Sequence, residues 1–291
     1  MNFDVEVRDL SVRFGSTRAV DGVTFSLAAG TIVGLLGRNG AGKTTLLETI
    51  AAFRRPTSGA VLVDREDPYE NRRLMSEMCL VVDNGWLEDS VSVSDALSIA
   101  GVLRPRWDDT LAERLMERFE IPRCSKVGAL SRGKRSALAV TIGLATRAPL
   151  TMFDEPHLGM DAPSRYAFYA ELLNDYIEHR RTVIVSTHLI DEMASLFEDV
   201  VILDHGKVLT HQTTEALQAR GVEITGPASA VDEVTAGMSV LSSRSLGRTK
   251  SAVVFGHFNG ALRDHASAVG VELGPIPLQD LFVSLTSEDH S

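Results

Sequence analysis

The sequence predicts an α/β chain built on a mostly parallel sheet, with a small α+β extension at its C-terminal end. Three observations carry that prediction. Apolar strand-like runs alternate with helix-like stretches as far as Leu203, a full G-x-x-x-x-G-K-[ST] match joins one such run to the helix after it, and two later apolar runs end in residues that carry chemistry. Strands alternating with helices imply a parallel sheet whose ligands lie at the carboxyl ends of its strands.

Val5 to Val7 and Val23 to Leu27 read as short strands, and Ile32 to Leu36 as a buried one. The run Gly37-Arg38-Asn39-Gly40-Ala41-Gly42-Lys43-Thr44-Thr45 follows directly and fits the phosphate-binding loop. Its glycines let successive backbone N–H groups turn inward around phosphates, and the helix that follows adds its positive end. Lys43 is placed to reach the β- and γ-phosphates, and the Thr44 hydroxyl to ligate Mg2+. A nucleoside triphosphate site is the implication. The helix is expected from Thr44 to Phe53, ended by Arg55-Pro56-Thr57-Ser58-Gly59, with Ala60 to Val63 as a returning strand. Val91 to Ile121 reads as polar and helical, broken at Pro105 and Pro122.

A second α/β stretch runs from Ser131 to Leu203 and holds the apolar runs Leu150 to Phe153 and Thr182 to Ser186. After the first come Asp154 and Glu155. Adjacent acids at a strand end also serve as helix caps or as a solvated edge, but beside a phosphate loop they supply a carboxylate for the Mg2+ shell and another to orient the attacking water. After the second comes His188, which can donate to a γ-phosphate oxygen from the same sheet edge. A lone histidine is more often structural; the shared edge favours the phosphate role.

The net charge of −10 is spread along the chain. From Gly206 onward there are six Lys and Arg against nine Asp and Glu, which gives −3 and leaves −7 for the rest. No basic tract marks a nucleic-acid surface, which argues against DNA or RNA as the main partner. Cys79 and Cys124 are far apart and form no C-x-x-C, so neither a disulfide framework nor a zinc cluster of cysteines is suggested, and a reducing compartment fits. No apolar run reaches the ~18 residues that span a bilayer. With Asp4, Glu6 and Asp9 near the start, no export signal is visible, and a cytosolic protein is expected.

Between the loop and the acids lies Leu130-Ser131-Arg132-Gly133-Lys134-Arg135. In this order and spacing the chain resembles the nucleotide-binding subunit of ATP-binding cassette (ABC) transporters over about residues 3 to 220. The family's signature reads L-S-G-G-Q; Leu130, Ser131 and Gly133 are kept, while Arg132 and Lys134 depart from it. The resemblance implies a RecA-like core with antiparallel β and α-helical subdomains. It places residues 1–215 in the ATPase domain, about 85–130 in its helical subdomain and 216–291 in the extension. It further implies that Phe14 stacks on adenine, that Ser131 Oγ and the Gly133 N–H reach a γ-phosphate, that Asp161 in Gly159-Met160-Asp161 is the D-loop acid, and that His188 is the switch histidine. Asn84, in Val82-Asp83-Asn84-Gly85, stands where the family has a glutamine and is one methylene shorter; it would offer its amide oxygen to Mg2+ or water.

In that family the signature serine of one subunit faces the phosphate loop of another, so two chains meet head to tail, as a homodimer or with a related subunit. ATP and Mg2+ are the implied ligands and an integral membrane permease the implied partner, with the ATPase peripheral on the inner face of the cell membrane. The Arg-containing signature and Asp154-Glu155-Pro156-His157-Leu158-Gly159-Met160-Asp161 look closer to the Ytr-type and bacitracin-resistance subgroup of ABC-2 exporters than to sugar importers. A soluble ABC ATPase acting on ribosomes or DNA is the alternative, although no second cassette or long coiled coil is visible. A GTPase or small-molecule kinase is the third reading, and no N-K-x-D motif supports it. In the tail, Gly221 to Thr225 and Ser251 to Phe255 read as strands, and Ala228 to Met238 and Ala261 to Ala268 as helices. Leu278, Leu281, Phe282 and Leu285 lie on one face of a last amphipathic helix. A stabilising extension without separate activity is the simplest reading of it.

Overall fold

In the computed structural model of the protein, the described residues are 2–82, 88–256 and 260–286, with the side chains of 260, 261 and 264 excepted. The chain divides into two compact units. One comprises residues 1–188 and 196–211, the other residues 189–195 and 212–291.

The first unit holds a six-stranded sheet. In spatial order its strands are Met78–Val82, Leu150–Asp154, Thr182–Thr187, Ile32–Gly37, Asp199–Asp204 and Lys207–Thr213. The first five pair in parallel. Ile32–Gly37, Leu150–Asp154 and Thr182–Thr187 are buried at every position, as continuous apolar runs in a sheet covered on both faces should be. Register brings their carboxyl ends level: Leu36 pairs with Thr187, and Asp154 with Ser186. The phosphate-loop strand and the Asp154 strand therefore flank the Ser186 strand, and all three end at one edge.

A second, antiparallel sheet places Val5–Phe14 between Thr17–Leu27 and Ser58–Val63. These strands run longer than Val5 to Val7 and Val23 to Leu27, because β-bulges carry them through polar stretches where alternation is lost. Phe3, Val7, Leu10 and Val20 meet Leu46, Leu47 and Leu35 in the shared core. The loop helix is Lys43–Ile50, shorter than expected, since Ala52 turns left-handed with φ 62°. The polar helical stretch resolves into Val93–Leu103 and Asp109–Arg118, which pack on the helix Arg132–Ala145. That last helix is buried without interruption from Ser136 to Ala145.

The second unit has a four-stranded antiparallel sheet in the order Val240–Leu246, Thr249–Phe255, Gly221–Pro227, Glu272–Pro275. With the helices Ala228–Thr235 and Gly260–Val269 the chain order is βαββαβ, a split βαβ arrangement. Ile224, Val231, Val234, Ala252, Val254 and Ala266 form its core. The two outer strands were not expected from the sequence. The last helix, Leu278–Thr286, packs on Val240–Leu246 and on the short helices Ile190–Met193 and Thr214–Gln218.

Candidate nucleotide site

The phosphate loop leaves its buried strand at Gly37 and enters the helix at Lys43, so Arg38, Asn39, Gly40 and Ala41 form the turn between them. Gly42 caps the helix at φ 102°, and a Cβ there would lie 2.3 Å from the Ala19 carbonyl oxygen, so only glycine fits. No acid occupies the first helical turn, which leaves the amides of Lys43, Thr44 and Thr45 and the positive helix end for an anion. Lys43 is buried, and its Nζ donates to the carbonyls of Gly37 (2.8 Å) and Arg38 (3.4 Å). An entering triphosphate would exchange those carbonyls for phosphate oxygens.

The two acids meet this loop directly. Thr44 Oγ1 donates to Asp154 Oδ2 at 2.6 Å, and the Ser186 hydroxyl donates a short hydrogen bond to Asp154 Oδ1. Ser186 Oγ also accepts from the Glu155 N–H at 3.0 Å, so one buried serine positions both acids. The Thr44 hydroxyl and the Asp154 carboxylate converge as hard oxygen donors, which is the chemistry that holds Mg2+. Glu155 adopts φ 49°, a left-handed conformation it shares with Glu70 and Glu120. Its Oε1 lies 3.5 Å from Lys43 Nζ and its Oε2 lies 2.7 Å from His188 Nδ1. Sequence reasoning did not single out His157, yet its Nε2 is 3.3 Å from the same Oε2 and 3.4 Å from His188 Nδ1.

The remaining predicted residues stand in a different grouping. Ser131 caps the helix Arg132–Ala145 by accepting from the Lys134 N–H, and Asp161 caps Ala162–Glu178 by accepting from the Ser164 N–H. Hydrogen bonds from Ser164 hold the Asp161 carboxyl below its ordinary range. Gly133 lies so close to the D-loop that a Cβ would sit 2.5 Å from the Gly159 carbonyl oxygen, and Ser136 Oγ donates to the Leu158 carbonyl at 2.6 Å. Lys134, at the family's glutamine position, is held by the Phe119 carbonyl and by Glu120. Phe14 is 45% exposed, with the Arg54 guanidinium 4.6 Å from its ring centre. Asn84 lies outside the described residues.

Loop, acids and histidine thus share one sheet edge, and the signature loop packs on the D-loop. A family model described as ABC transporter matches residues 20–158. Over those residues the chain matches an ABC transporter ATP-binding domain. Among curated relatives, the ABC transporter ATP-binding protein YtrB of Bacillus subtilis is 26% identical over 220 residues, 76% of this chain and 75% of that protein. A probable sulfate/thiosulfate import ATP-binding protein, CysA of Chlorella vulgaris, is 29% identical over 70% of this chain and 88% of its own length. The same fold occurs in a dimeric ATP-binding cassette solved in a post-hydrolysis state with ADP and phosphate. The TM-score is 0.65 at 20% identity, with 72% of this chain and 98% of that one covered. The first unit therefore has the fold of an ABC ATPase cassette, a RecA-like core with an antiparallel β-sheet and a helical layer, as the sequence implies.

Proposed function

We propose that this chain is the ATP-hydrolysing subunit of an ABC exporter, working as a head-to-tail dimer on a separate membrane permease. One observation carries the reading: Lys43, Thr44, Asp154, Glu155, Ser186 and His188 form one bonded cluster at the carboxyl edge of the parallel sheet.

In this reading the loop amides and Lys43 hold the β- and γ-phosphates, while Phe14 offers a half-exposed ring for adenine to stack on. Thr44 and Asp154 would hold Mg2+, and the resemblance assigns Asn84 to the same ion; the ion would supply charge neutralisation on the phosphates. Glu155 orients the attacking water and takes its proton at Oε2, and His188 donates to the γ-phosphate oxygen that gains charge. Ser186 holds the Glu155 backbone, and the Glu155 carboxylate holds the His188 ring. Ser131, Gly133 and Asp161 come from the partner chain's surface, so phosphate charge shared across the interface favours the closed dimer and hydrolysis releases it.

One feature supports a permease as partner. An apolar groove of about 280 Å3 opens beside the helix Val93–Leu103, lined by Phe53, Leu80, Val91, Ile99 and Leu103 among others. Phe53, Ile99 and Leu103 are each more than half exposed there, as a docking surface requires. Export rests on the resemblance of the signature and of Asp154 to Asp161 to the Ytr-type subgroup.

The test is a pull-down of tagged Glu155→Gln with ATP and Mg2+ from detergent-solubilised cells of the native host. The variant should bind ATP and dimerise but barely hydrolyse, and should bring down a polytopic membrane protein. Ribosomes or DNA-associated proteins in its place would favour the soluble ATPase, and normal turnover by the variant would sink the catalytic assignment.

A further inference from the structure

His157 is not among the residues that phosphate chemistry calls for, yet it is buried against two that are. Its Nε2, His188 Nδ1 and Glu155 Oε2 form a triangle with sides of 3.4, 3.3 and 2.7 Å. The circle through those three atoms has a radius of about 1.8 Å, slightly less than the ~2.0–2.2 Å that Zn2+ takes to imidazole nitrogen or carboxylate oxygen. A point at zinc-bonding distance from all three donors therefore lies just off their plane. Two of the three sides also match the ~3.3 Å edge of a tetrahedron with such bonds. Only the Glu155–His188 contact has to open, by about half an ångström on that same geometry.

From this we infer that Glu155, His157 and His188 form a binding site for Zn2+ that, when filled, arrests ATP turnover. Donor chemistry separates this site from the Mg2+ site. Two imidazoles and one carboxylate oxygen suit a borderline transition metal, whereas Mg2+ takes the oxygens of Thr44 and Asp154. Lys43 faces Oε1 of Glu155, so the carboxylate binds through Oε2 alone. The His188 side chain is 49% exposed while those of His157 and Glu155 are largely buried, which gives the metal a way in and leaves a fourth position to solvent. Occupancy engages the Glu155 oxygen that would take the water's proton and the imidazole that would meet the γ-phosphate. By linkage, a bound nucleotide that engages those groups weakens zinc as much as zinc weakens it.

The inference goes beyond the proposed transport role, and its first readout needs no nucleotide. Metal-stripped full-length protein is titrated with zinc chloride in millimolar Mg2+ against a chromophoric zinc chelator. One zinc per chain is expected, with affinity reduced at least about tenfold in His157→Asn and in His188→Asn. Zinc should then abolish the Mg2+-dependent ATPase of the unaltered protein, a zinc-selective chelator should restore it, and whatever activity His157→Asn retains should not respond. Thermal unfolding checks that each variant is folded; if buried His157 does not tolerate replacement, the exposed His188→Asn alone decides through its zinc affinity. Absence of stoichiometric zinc, or unchanged affinity in the folded variants, would overturn the site. The latter result would place the metal elsewhere, such as the exposed pair of His205 with Asp204, and would leave the ATPase reading intact.

Discussion

Replacing Ser186 by alanine removes a single hydroxyl on which both acids depend. Ser186 is fully buried; it donates to Asp154 Oδ1 and accepts from the Glu155 N–H. A hydrogen bond to a charged group is worth ~1.5–3 kcal/mol, and alanine offers Asp154 nothing in return. The second loss is smaller, because the Glu155 N–H keeps the Ser186 carbonyl at 3.2 Å. Asp154 Oδ2 stays tied to Thr44, so the carboxylate swings about one remaining anchor. At ~1.4 kcal/mol per factor of ten, the loss amounts to ~10–100-fold in kcat if it falls on the reacting geometry, or to ~1.5–3 kcal/mol of unfolding free energy if it falls on folding. The phosphate loop is untouched, so KM for ATP should hardly change. Steady-state hydrolysis and urea unfolding on the same preparation measure both shares. If kcat stays within about twofold and stability within ~0.5 kcal/mol, the serine does not position the acids and the reasoning fails.

Other perturbations test other parts of the fold. Gly42→Ala drives a Cβ to 2.3 Å from the Ala19 carbonyl oxygen at φ 102°, so a fluorescent ATP analogue should no longer bind although the chain remains folded. Asp175→Ala strands the buried Arg181, which burial already pushes below its ordinary pKa, and loses the Arg147 contact at 3.2 Å; the urea midpoint should report ~3–5 kcal/mol of destabilisation. The Leu111 N–H, ahead of the Arg147 charge, holds Asp108 below the ordinary 3.8, so its contribution is whole above about pH 4 and fades as pH falls through the lowered value. Asp108→Asn should thus be less stable than the unaltered chain at pH 6, with the gap narrowing near pH 3 in parallel urea titrations.

What could be read from sequence and what could not divides by range. The phosphate loop is a local device: glycine spacing, one lysine and one threonine carry its geometry within nine residues. Asp154 and Glu155 were legible because a buried strand ends where they begin. Nothing around Pro156 and Leu158 announces that His157 folds back to within 3.4 Å of His188, 31 positions away. Ser186 was visible only as the end of a strand, since its role depends on register with Asp154 across the sheet. Val240–Leu246 escaped notice because most of it is exposed, and pairing with Thr249–Phe255 rather than alternation makes it a strand. Glu272–Pro275 is too short for a period to show.

The two units are interleaved in sequence. Residues 189–195 follow His188 without a break yet pack within the second unit, where the helix Ile190–Met193 lies against the last helix of the chain. No single cut of the polypeptide can therefore divide the first unit from the second. Ending the protein near residue 215, where the sequence suggests a boundary, would strip the covering from Ile190 and Met193, which are 1% and 0% exposed. A shortened protein would carry an oily stub immediately beyond His188, the residue proposed to meet the γ-phosphate. Sluggish hydrolysis or clumping in such a truncate would report the uncovered stub rather than a lost regulatory activity, and replacing Ile190 and Met193 by polar residues in the truncate would distinguish the two causes.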